Sequence, residues 1–281
     1  MSGSAHVSTD TRRPPRESAR FRYDVDLARL PRALRERFLP LELDAETREF
    51  IEQRPLLRHG RVKDFLHRAL RPLLSDFDLN GLLGTYPLFL LSRVQWERLL
   101  GSAPRGSLLD VGAGAGDVTA RIAHGFETVV ATETSRMMAR RLRQRGYRCH
   151  LGELADAPLA GRFDVVSCLN VIDRTSRPAS LLQRIRELVA ENGRLVLATP
   201  LPFEPFAYAG GRTLPPEEKL AVTAPRWEEA AVELVERVLG PLGLELESFS
   251  RAPYLSGGDP HEPYYVLDDF VVVCRRRPAV T

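Results

Sequence analysis

A short glycine-rich segment, Leu108–Asp117, most constrains what this chain can fold into. It reads LLDVGAGAGD, so an apolar run leads directly into three glycines, Gly112, Gly114 and Gly116. Glycines at this spacing let the backbone turn sharply and approach a ligand without Cβ clashes. In open α/β sheets such a loop follows a buried strand, at the carboxyl edge where ligands bind. The segment therefore predicts an α/β fold with a ligand-binding loop.

The spacing of these glycines separates two classes of ligand. A dinucleotide fingerprint needs a third glycine at the position of Asp117, whereas GxGxG preceded by Asp110 matches an S-adenosyl-L-methionine loop. S-adenosyl-L-methionine carries an ammonium group and has no pyrophosphate, and Asp110 or Asp117 can accept hydrogen bonds from that ammonium directly or through water. Dinucleotide binding and a tight turn without a ligand are the two alternatives.

An acidic residue follows the next predicted strand. That strand ends at Thr132, and Glu133 lies 17 residues after Gly116. A carboxylate at this place can accept hydrogen bonds from both hydroxyls of a ribose. The alternative interpretation of Glu133 is a solvated acid at a strand end.

Downstream of residue 100, short runs rich in Val and Leu alternate with amphipathic stretches, which is typical of a parallel sheet covered by helices. The last two predicted strands have no helix between them, so we expect an antiparallel hairpin. The sequence predicts a Rossmann-like seven-stranded α/β sheet with its last strand antiparallel. The predicted strands are Ser107–Val111, Thr128–Thr132, Arg148–Leu151, Asp164–Cys168, Arg194–Thr199, Leu244–Phe249 and Tyr265–Cys274.

The segment before the sheet has a different pattern. Residues 1–20 are polar, and we expect a disordered tail there. Residues 21–100 are predicted to form a helical N-terminal lobe, interrupted at Asn80-Gly81 and Gly84, with a capping box at Ser92. Residues 101–281 are the predicted catalytic domain. The apolar residues at helical spacing in the lobe are Leu27, Leu30, Leu34, Phe38 and Leu41, followed by Val62, Phe65, Leu66, Ala69, Leu70 and Leu73.

Two polar groups are predicted at the carboxyl edge of the sheet. Asn170 and Asp173 follow the fourth strand, where they would face the reactive end of the ligand; a turn that caps the next helix is the alternative. A loop over Arg251–Asp259 is predicted to hang over the same edge. It would bring three tyrosines to the substrate, although aromatic packing on the rim of the sheet explains them equally well: Tyr254, Tyr264 and Tyr265.

Composition excludes several classes of protein. The 40 basic and 37 acidic residues are interleaved, so no stripe for a nucleic-acid backbone is expected. The 3 cysteines are too few for a disulfide framework, the histidines lack metal-ligand spacing, and we expect no metal. No apolar run is long enough for a membrane span, and the N-terminus lacks a secretory signal, although its Ser and Arg content faintly resembles a transit peptide. We expect a cytoplasmic monomer.

Several longer motifs are more specific than the glycine loop. GSLLDVGAGAGDVT, VVATETS, FDVVSCLNVIDR, LPF and RAPYL…GD…YYVLDD together resemble the methyltransferase-like protein 9 (DREV) family, as do LPRALRERFL…DAETREFI and NGLLG. The resemblance covers nearly all of residues 21–275. It implies an S-adenosyl-L-methionine-dependent class I methyltransferase that acts on proteins, placing a methyl on the pros (Nδ1) nitrogen of histidine in His-x-His motifs.

The resemblance also implies roles for individual residues. Asp110, Gly112 and Gly114 match the cofactor loop, together with the neighbouring Gly116, and Glu133 matches the ribose acid. Asn170 and Asp173 match an imidazole-binding pair, with Asn170 also near the cofactor, and Tyr254 and Tyr265 match substrate-side tyrosines. The catalytic group would be Asp173, Asn170 and Tyr254. The family more often has an acid where this chain has Ala115. The alternatives are a small-molecule methyltransferase and a catalytically silent binding module.

Overall fold

The computed structural model describes residues 21–53, 63, 65, 76–159, 161–209, 212–258 and 262–277. The predicted tail at 1–20 lies outside these residues. So does the predicted helix at 62–73, apart from Lys63 and Phe65, which are both helical.

A mixed sheet is the centre of the fold. Its order is β1-β9-β10-β6-β5-β2-β3-β4, and a separate pair, β7 and β8, forms a small antiparallel ribbon. The strands are β1 Leu88–Phe89, β2 Ser107–Val111, β3 Thr128–Glu133, β4 Arg148–Leu151, β5 Phe163–Leu169, β6 Val189–Pro200, β7 Ala207–Ala209, β8 Arg212–Leu214, β9 Leu244–Gly257 and β10 Tyr264–Arg276.

The strand directions confirm the predicted architecture. Strands β4, β3, β2, β5 and β6 are parallel to one another, and β10 runs antiparallel to both β6 and β9. The seven predicted strands are all present, and the last one is the reversed strand. The sheet also has an eighth strand, because Leu88 and Phe89 pair with Leu255 and Ser256 at the edge of β9. A strand of two residues is too short to show the period-2 alternation by which a strand is predicted from sequence.

Helices cover both faces of the sheet. The π turn Leu234–Leu239 and the 3-10 turn Gly240–Leu242 extend the last helix. The described helices of more than three residues are α1 Arg32–Arg35, α2 Ala45–Glu52, α3 Asp76–Leu83, α4 Arg93–Leu100, α5 Thr119–Ile122, α6 Arg136–Gln144, α7 Pro178–Leu188 and α8 Trp227–Glu233.

Each face of the sheet carries an apolar core. On one face, α7 packs against β5 and β6, and α8 packs against the hairpin, where Trp227 meets Phe270 edge-on with ring centroids 5.6 Å apart. On the other face, Trp96 of α4 and Ile122 of α5 pack against β6 and β10. Because both faces are covered, the central strands are almost wholly apolar, and a polar side chain among them requires an explanation.

The N-terminal segment corrects one prediction. Helical spacing from Leu27 to Leu41 predicted helices, but only a 3-10 turn at Leu27–Arg29 and the four-residue α1 form. The chain then runs alongside β9, where Leu39 N donates to Phe249 O at 2.8 Å and Phe249 N donates to Arg37 O at 3.0 Å. Hydrogen bonds to β9 satisfy backbone N–H and C=O groups of this segment without a helix. The spacing of apolar residues alone therefore overpredicted helix.

One predicted helix break and one predicted loop were also wrong. Asn80 and Gly81 lie inside α3, which ends before Gly84. The predicted loop over Arg251–Asp259 is strand as far as Gly257, because β9 is 14 residues long. The predicted capping box is confirmed at the start of α4, where Ser92 and Gln95 exchange hydrogen bonds. None of the helices in the described part of the chain combines the length and hydropathy that crossing a bilayer requires.

Candidate active site

The glycine loop lies at the carboxyl end of β2, as predicted. Gly112, Gly114 and Gly116 all have positive φ, at 68°, 57° and 83°. The N–H groups of Gly112 and Ala113 both donate to Thr132 O, at 3.0 and 3.1 Å, which joins the loop to the end of β3. The loop is therefore a turn that is fixed to the end of β3.

Gly112 is required by a close approach. A Cβ at this position would lie 2.7 Å from Cγ2 of Val171, in the segment that follows β5. No heavy atom lies within 4 Å of the corresponding position on Gly114. The loop is therefore closed toward β5 and open at Gly114.

Glu133 faces this opening. One carboxylate oxygen accepts from Gly114 N and the other from Ser135 N, both at 2.8 Å. Burial raises the pKa of the Glu133 carboxyl, and the hydrogen bonds from the Ser135 and Gly114 N–H groups partly offset that effect. The alternative of a solvated acid does not describe this side chain, which is 9% exposed.

Asp110 lies beneath the loop rather than in it. Its two carboxylate oxygens accept from the hydroxyls of Thr119, at 2.6 Å, and Ser167, at 2.7 Å. Burial raises the pKa of Asp110 to about 6 despite those two bonds, and the nearby Glu133 charge raises it further. Asp117 pairs with Arg145 at the rim. The arrangement at Asp110 anchors the turn from below.

Asn170 and Asp173 lie in the turn after β5. The capping alternative is excluded for α7, whose N-cap is Arg177 and has no side-chain cap bond. Asp173 is 0% exposed; one oxygen lies 3.4 Å from Arg174 Nε, and Oδ1 has no hydrogen-bond partner among the described residues. Asn170 adopts a φ of 58°, is buried, and its Oδ1 likewise has no partner there. The two buried acceptors are therefore unused.

Sequence reasoning missed a third member of this group. Asp269 of β10 is 0% exposed, and its Oδ2 accepts from Asn170 Nδ2 at 2.6 Å. Burial raises the pKa of Asp269 well above its ordinary value; the Asn170 hydrogen bond lowers it, and the Asp173 charge raises it. The available signal was the acid pair of YYVLDDFVVVC, because a strand otherwise apolar on both faces seldom buries an acid without a purpose.

The three predicted tyrosines lie on two faces of the hairpin. Tyr254 is opposite Leu267 and Asp269 is opposite Ala252, so alternation places Tyr254 and Tyr265 on the face that carries Asp269. Burial raises the pKa of Tyr254; the Arg174 charge lowers it, and the charges of Asp269 and Asp173 raise it. Tyr254 is therefore within electrostatic range of the buried acids.

The other two tyrosines lie further out. Tyr265 is four residues from Asp269, about 13 Å along the strand. The Tyr264 side chain lies on the opposite face of the hairpin, and its ring centroid is 5.8 Å from that of Phe21. Among the described residues, no group of three or more His, Cys, Asp or Glu side chains is arranged to hold a metal.

Comparisons with known proteins place this geometry in context. The Schizosaccharomyces pombe protein named "Ubiquinone biosynthesis O-methyltransferase, mitochondrial" is 32% identical over 102 residues, which are 33% of this chain and 37% of that protein. The chain thus matches little more than a third of that relative's length.

Solved structures are similar at the level of the fold. N-methyltransferase NodS from Bradyrhizobium japonicum WM9, in complex with S-adenosyl-L-homocysteine, is 16% identical with a TM-score of 0.44, covering 66% of this chain and 86% of that one. Magnesium protoporphyrin IX methyltransferase (ChlM) from Synechocystis PCC 6803, with the same ligand bound, is 18% identical with a TM-score of 0.43, covering 66% and 80%.

A family model gives the decisive comparison. The model described as DREV methyltransferase matches residues 23–276, which include the glycine loop, the turn after β5 and the whole hairpin. The match confirms the predicted resemblance, the class I methyltransferase fold and S-adenosyl-L-methionine as the cofactor. This chain belongs to the DREV methyltransferase family.

Proposed function

We propose that this protein is an S-adenosyl-L-methionine-dependent protein-histidine methyltransferase that modifies the pros (Nδ1) nitrogen of histidine in His-x-His motifs. The observation that carries the proposal is a pair of buried acceptors that have no hydrogen-bond partner in the described part of the chain, Asn170 Oδ1 and Asp173 Oδ1. Acceptors buried without a partner cost free energy, so a bound group that donates N–H bonds is favoured there. A histidine imidazole is such a group.

The residues of the loop fit the cofactor. The open side of Gly114 leaves room for a ligand against the backbone, and the buried carboxylate of Glu133 is placed to accept from a ribose diol. In this proposal Gly112 and Gly116 shape the turn, Asp110 holds it from below, and Asn170 borders the end of the site toward β5. When bound, S-adenosyl-L-methionine supplies a methyl group on a positively charged sulfur.

Imidazole suits this site as a nucleophile because its pKa of about 6.5 leaves it mostly neutral at pH 7. Attack through Nδ1 requires that the proton sit on Nε2. Asp173 accepts the Nε2–H, which selects that tautomer and stabilises the imidazolium that forms when Nδ1 takes the methyl. Asn170 Oδ1 shares the same Nε2–H with Asp173, which orients the ring. Positioning of this kind provides a large part of a rate enhancement.

Tyr254 completes the proposed catalytic group. Because burial and the neighbouring carboxylates raise its pKa, the side chain stays a hydroxyl at neutral pH and can donate as well as accept a hydrogen bond. Tyr265, and more remotely Tyr264, lie on the hairpin beyond it, where the residues flanking a target histidine would pass. The monomeric state and the cytoplasmic location stay predictions.

A second candidate is methylation of a small molecule. The partial similarity to a ubiquinone biosynthesis O-methyltransferase favours it. A phenol nucleophile must lose its proton before or during transfer and needs a general base, which Asp173 could supply. The silent binding module, the other alternative, has no observation of its own in its favour.

Incubation of the purified protein with labelled S-adenosyl-L-methionine and a His-x-His peptide tests the proposal. We expect label in the peptide, with fragmentation placing the methyl on the pros nitrogen. A matched peptide with both histidines replaced by glutamine should stay unlabelled. If label enters a phenol or catechol in preference to the peptide, the second candidate is correct. If neither substrate is labelled while S-adenosyl-L-homocysteine binds, the protein is a binding module.

A further inference from the structure

The two adjacent acids of β10 have different surroundings. Asp268 faces one side of the hairpin, where both its oxygens accept from Arg251, at 2.8 and 2.6 Å. Asp269 faces the other side, toward Tyr254 and Asn170, and its described hydrogen bond is the 2.6 Å contact from Asn170 Nδ2. Asp268 thus forms a structural ion pair with Arg251, whereas the Asp269 side chain contacts Asn170 in the candidate active site.

The backbone of Asn170 is already fixed by other means. Its N–H donates to Ala198 O at 2.8 Å, and its φ of 58° lies in the left-handed region that Asn and Asp tolerate better than most residues. The freedom that remains is the orientation of the planar carboxamide. Exchange of its oxygen and nitrogen would change an acceptor into a donor at the same place.

The contact with Asp269 removes that freedom. An oxygen of a carboxyl group accepts the Asn170 Nδ2–H whether Asp269 is ionised or holds a proton on its other oxygen. With the nitrogen held on the Asp269 side, Oδ1 takes the opposite direction, and it has no partner among the described residues. The hydrogen bond thereby decides which atom of Asn170 stays available.

We propose that Asp269 is a positioning residue for the reaction: it holds the Asn170 carboxamide so that the site presents an acceptor oxygen, not an NH2 group, to the nucleophile. The inference rests on the proposed function, since an acceptor oxygen at this place benefits a nucleophile that carries an N–H, as the proposed imidazole does. It assigns specificity for such a group to a side chain that does not touch the substrate.

An exchange of the two residues tests the proposal. In Asp269→Asn the amide at 170 loses its fixed acceptor, and we expect kcat/KM for the His-x-His peptide to fall about 10–100-fold, the range for a lost hydrogen bond at a buried site. Asn170→Asp brings two carboxyl groups into direct contact and should be at least as impaired. The double variant restores a donor–acceptor pair in reverse and again leaves an oxygen facing the site. We expect kcat/KM of the double variant to be at least tenfold higher than that of the less active single variant.

Asp268→Asn is the matched control. It removes the carboxylate that pairs with Arg251 on the opposite face of the same strand. The substitution should therefore lower the melting temperature but keep kcat/KM within about threefold of wild type. A purely structural role of Asp269 would give the same pattern for Asp269→Asn, with no rescue by the exchange. Wild-type kcat/KM in Asp269→Asn, or a double variant no better than the weaker single, overturns the proposal.

A second readout does not depend on histidine methylation. In an amide NMR spectrum, the side-chain NH2 signals of Asn170 are those lost in Asn170→Asp, and we expect them to be protected from solvent exchange in wild type. They should shift and lose protection in Asp269→Asn. If the wild type fails to methylate the peptide, the proposed function is wrong while these signals still report on the Asn170–Asp269 bond. Unchanged signals in Asp269→Asn would count against that bond.

Discussion

The backbone N–H of Gly114 donates a 2.8 Å hydrogen bond to the carboxylate of Glu133. The contact joins the open point of the glycine loop to the end of the neighbouring strand. Because the second carboxylate oxygen is held by Ser135 N, the acid cannot rotate away from the loop without losing both bonds. A ligand at the loop therefore meets Glu133 in a fixed orientation.

Replacement of Glu133 should weaken cofactor binding. Glu133→Gln keeps the size of the side chain but exchanges one acceptor oxygen for a donor and removes the charge. We expect calorimetry to show S-adenosyl-L-homocysteine binding weaker by about 1.5–3 kcal/mol, the range for a hydrogen bond to a charged group. Glu127→Gln, an exposed acid before the same strand, is the control and should bind as wild type. Equal affinity in Glu133→Gln would refute the ribose assignment.

Replacement of Asp173 should slow the reaction without loosening the cofactor. Asp173→Asn keeps the shape but removes the charge proposed to stabilise an imidazolium. Loss of a proton-holding group costs about 10²–10⁴ in rate, so turnover should fall by that factor while S-adenosyl-L-homocysteine affinity stays within about threefold. Rate and melting temperature are measured on the same preparation. Full turnover with a lowered melting temperature would leave Asp173 a structural residue.

Asp110 should make stability depend on pH. Its pKa of about 6 in the folded protein is above the ordinary value of 3.8, so the folded state holds the proton more tightly than the unfolded state. This contribution is present at low pH and is lost as pH rises through 6. Asp110→Asn lacks the titration. The free energy of unfolding of wild type relative to Asp110→Asn should therefore fall by about 2 kcal/mol between pH 4.5 and 7.5.

Urea unfolding of both proteins at the two pH values measures that difference. Because every other titrating group is common to both proteins, its contribution largely cancels. If the difference in the free energy of unfolding between wild type and Asp110→Asn is constant with pH, burial does not raise the pKa of Asp110.

The predicted lobe at 21–100 should not fold alone. Leu88 and Phe89 form an edge strand of the main sheet, and Arg37 and Leu39 exchange backbone hydrogen bonds with Phe249. These partners belong to the remainder of the chain. A fragment of residues 21–100 should therefore show no cooperative thermal transition by circular dichroism, in contrast to the full chain. A sharp transition in the fragment would make the lobe an independent domain.

The local features of the site could be predicted from sequence. Strand, glycine turn and helix follow one another within Leu108–Ile122, and the steric freedom of glycine is a property of the residue itself. The seven strands and their reversed last member were equally accessible, because buried parallel strands are continuous apolar runs and a missing crossover helix requires an antiparallel pair. Glu133 was found because it ends one of those runs.

Contacts between distant segments were not accessible in this way. Residues 251–257 contain Pro and Gly, which favour a loop locally, yet pairing with β10 on one side and β1 on the other makes them strand. Likewise, the segment from Leu27 to Leu41 forms only short helical turns before it pairs with β9. In both segments the hydrogen bonds and buried area supplied by a distant strand outweigh local propensity.

By itself the sequence determined the fold class, the glycine loop and the chemical identity of the groups at the strand ends. Only the tertiary structure decided which of those groups meet. Asn170 and Asp269 are 99 positions apart, and no periodicity relates them. Their contact depends on β10 lying beside β6, which itself pairs with β5. Chain order specifies which side chains exist, whereas the sheet order brings an amide and a buried acid to 2.6 Å.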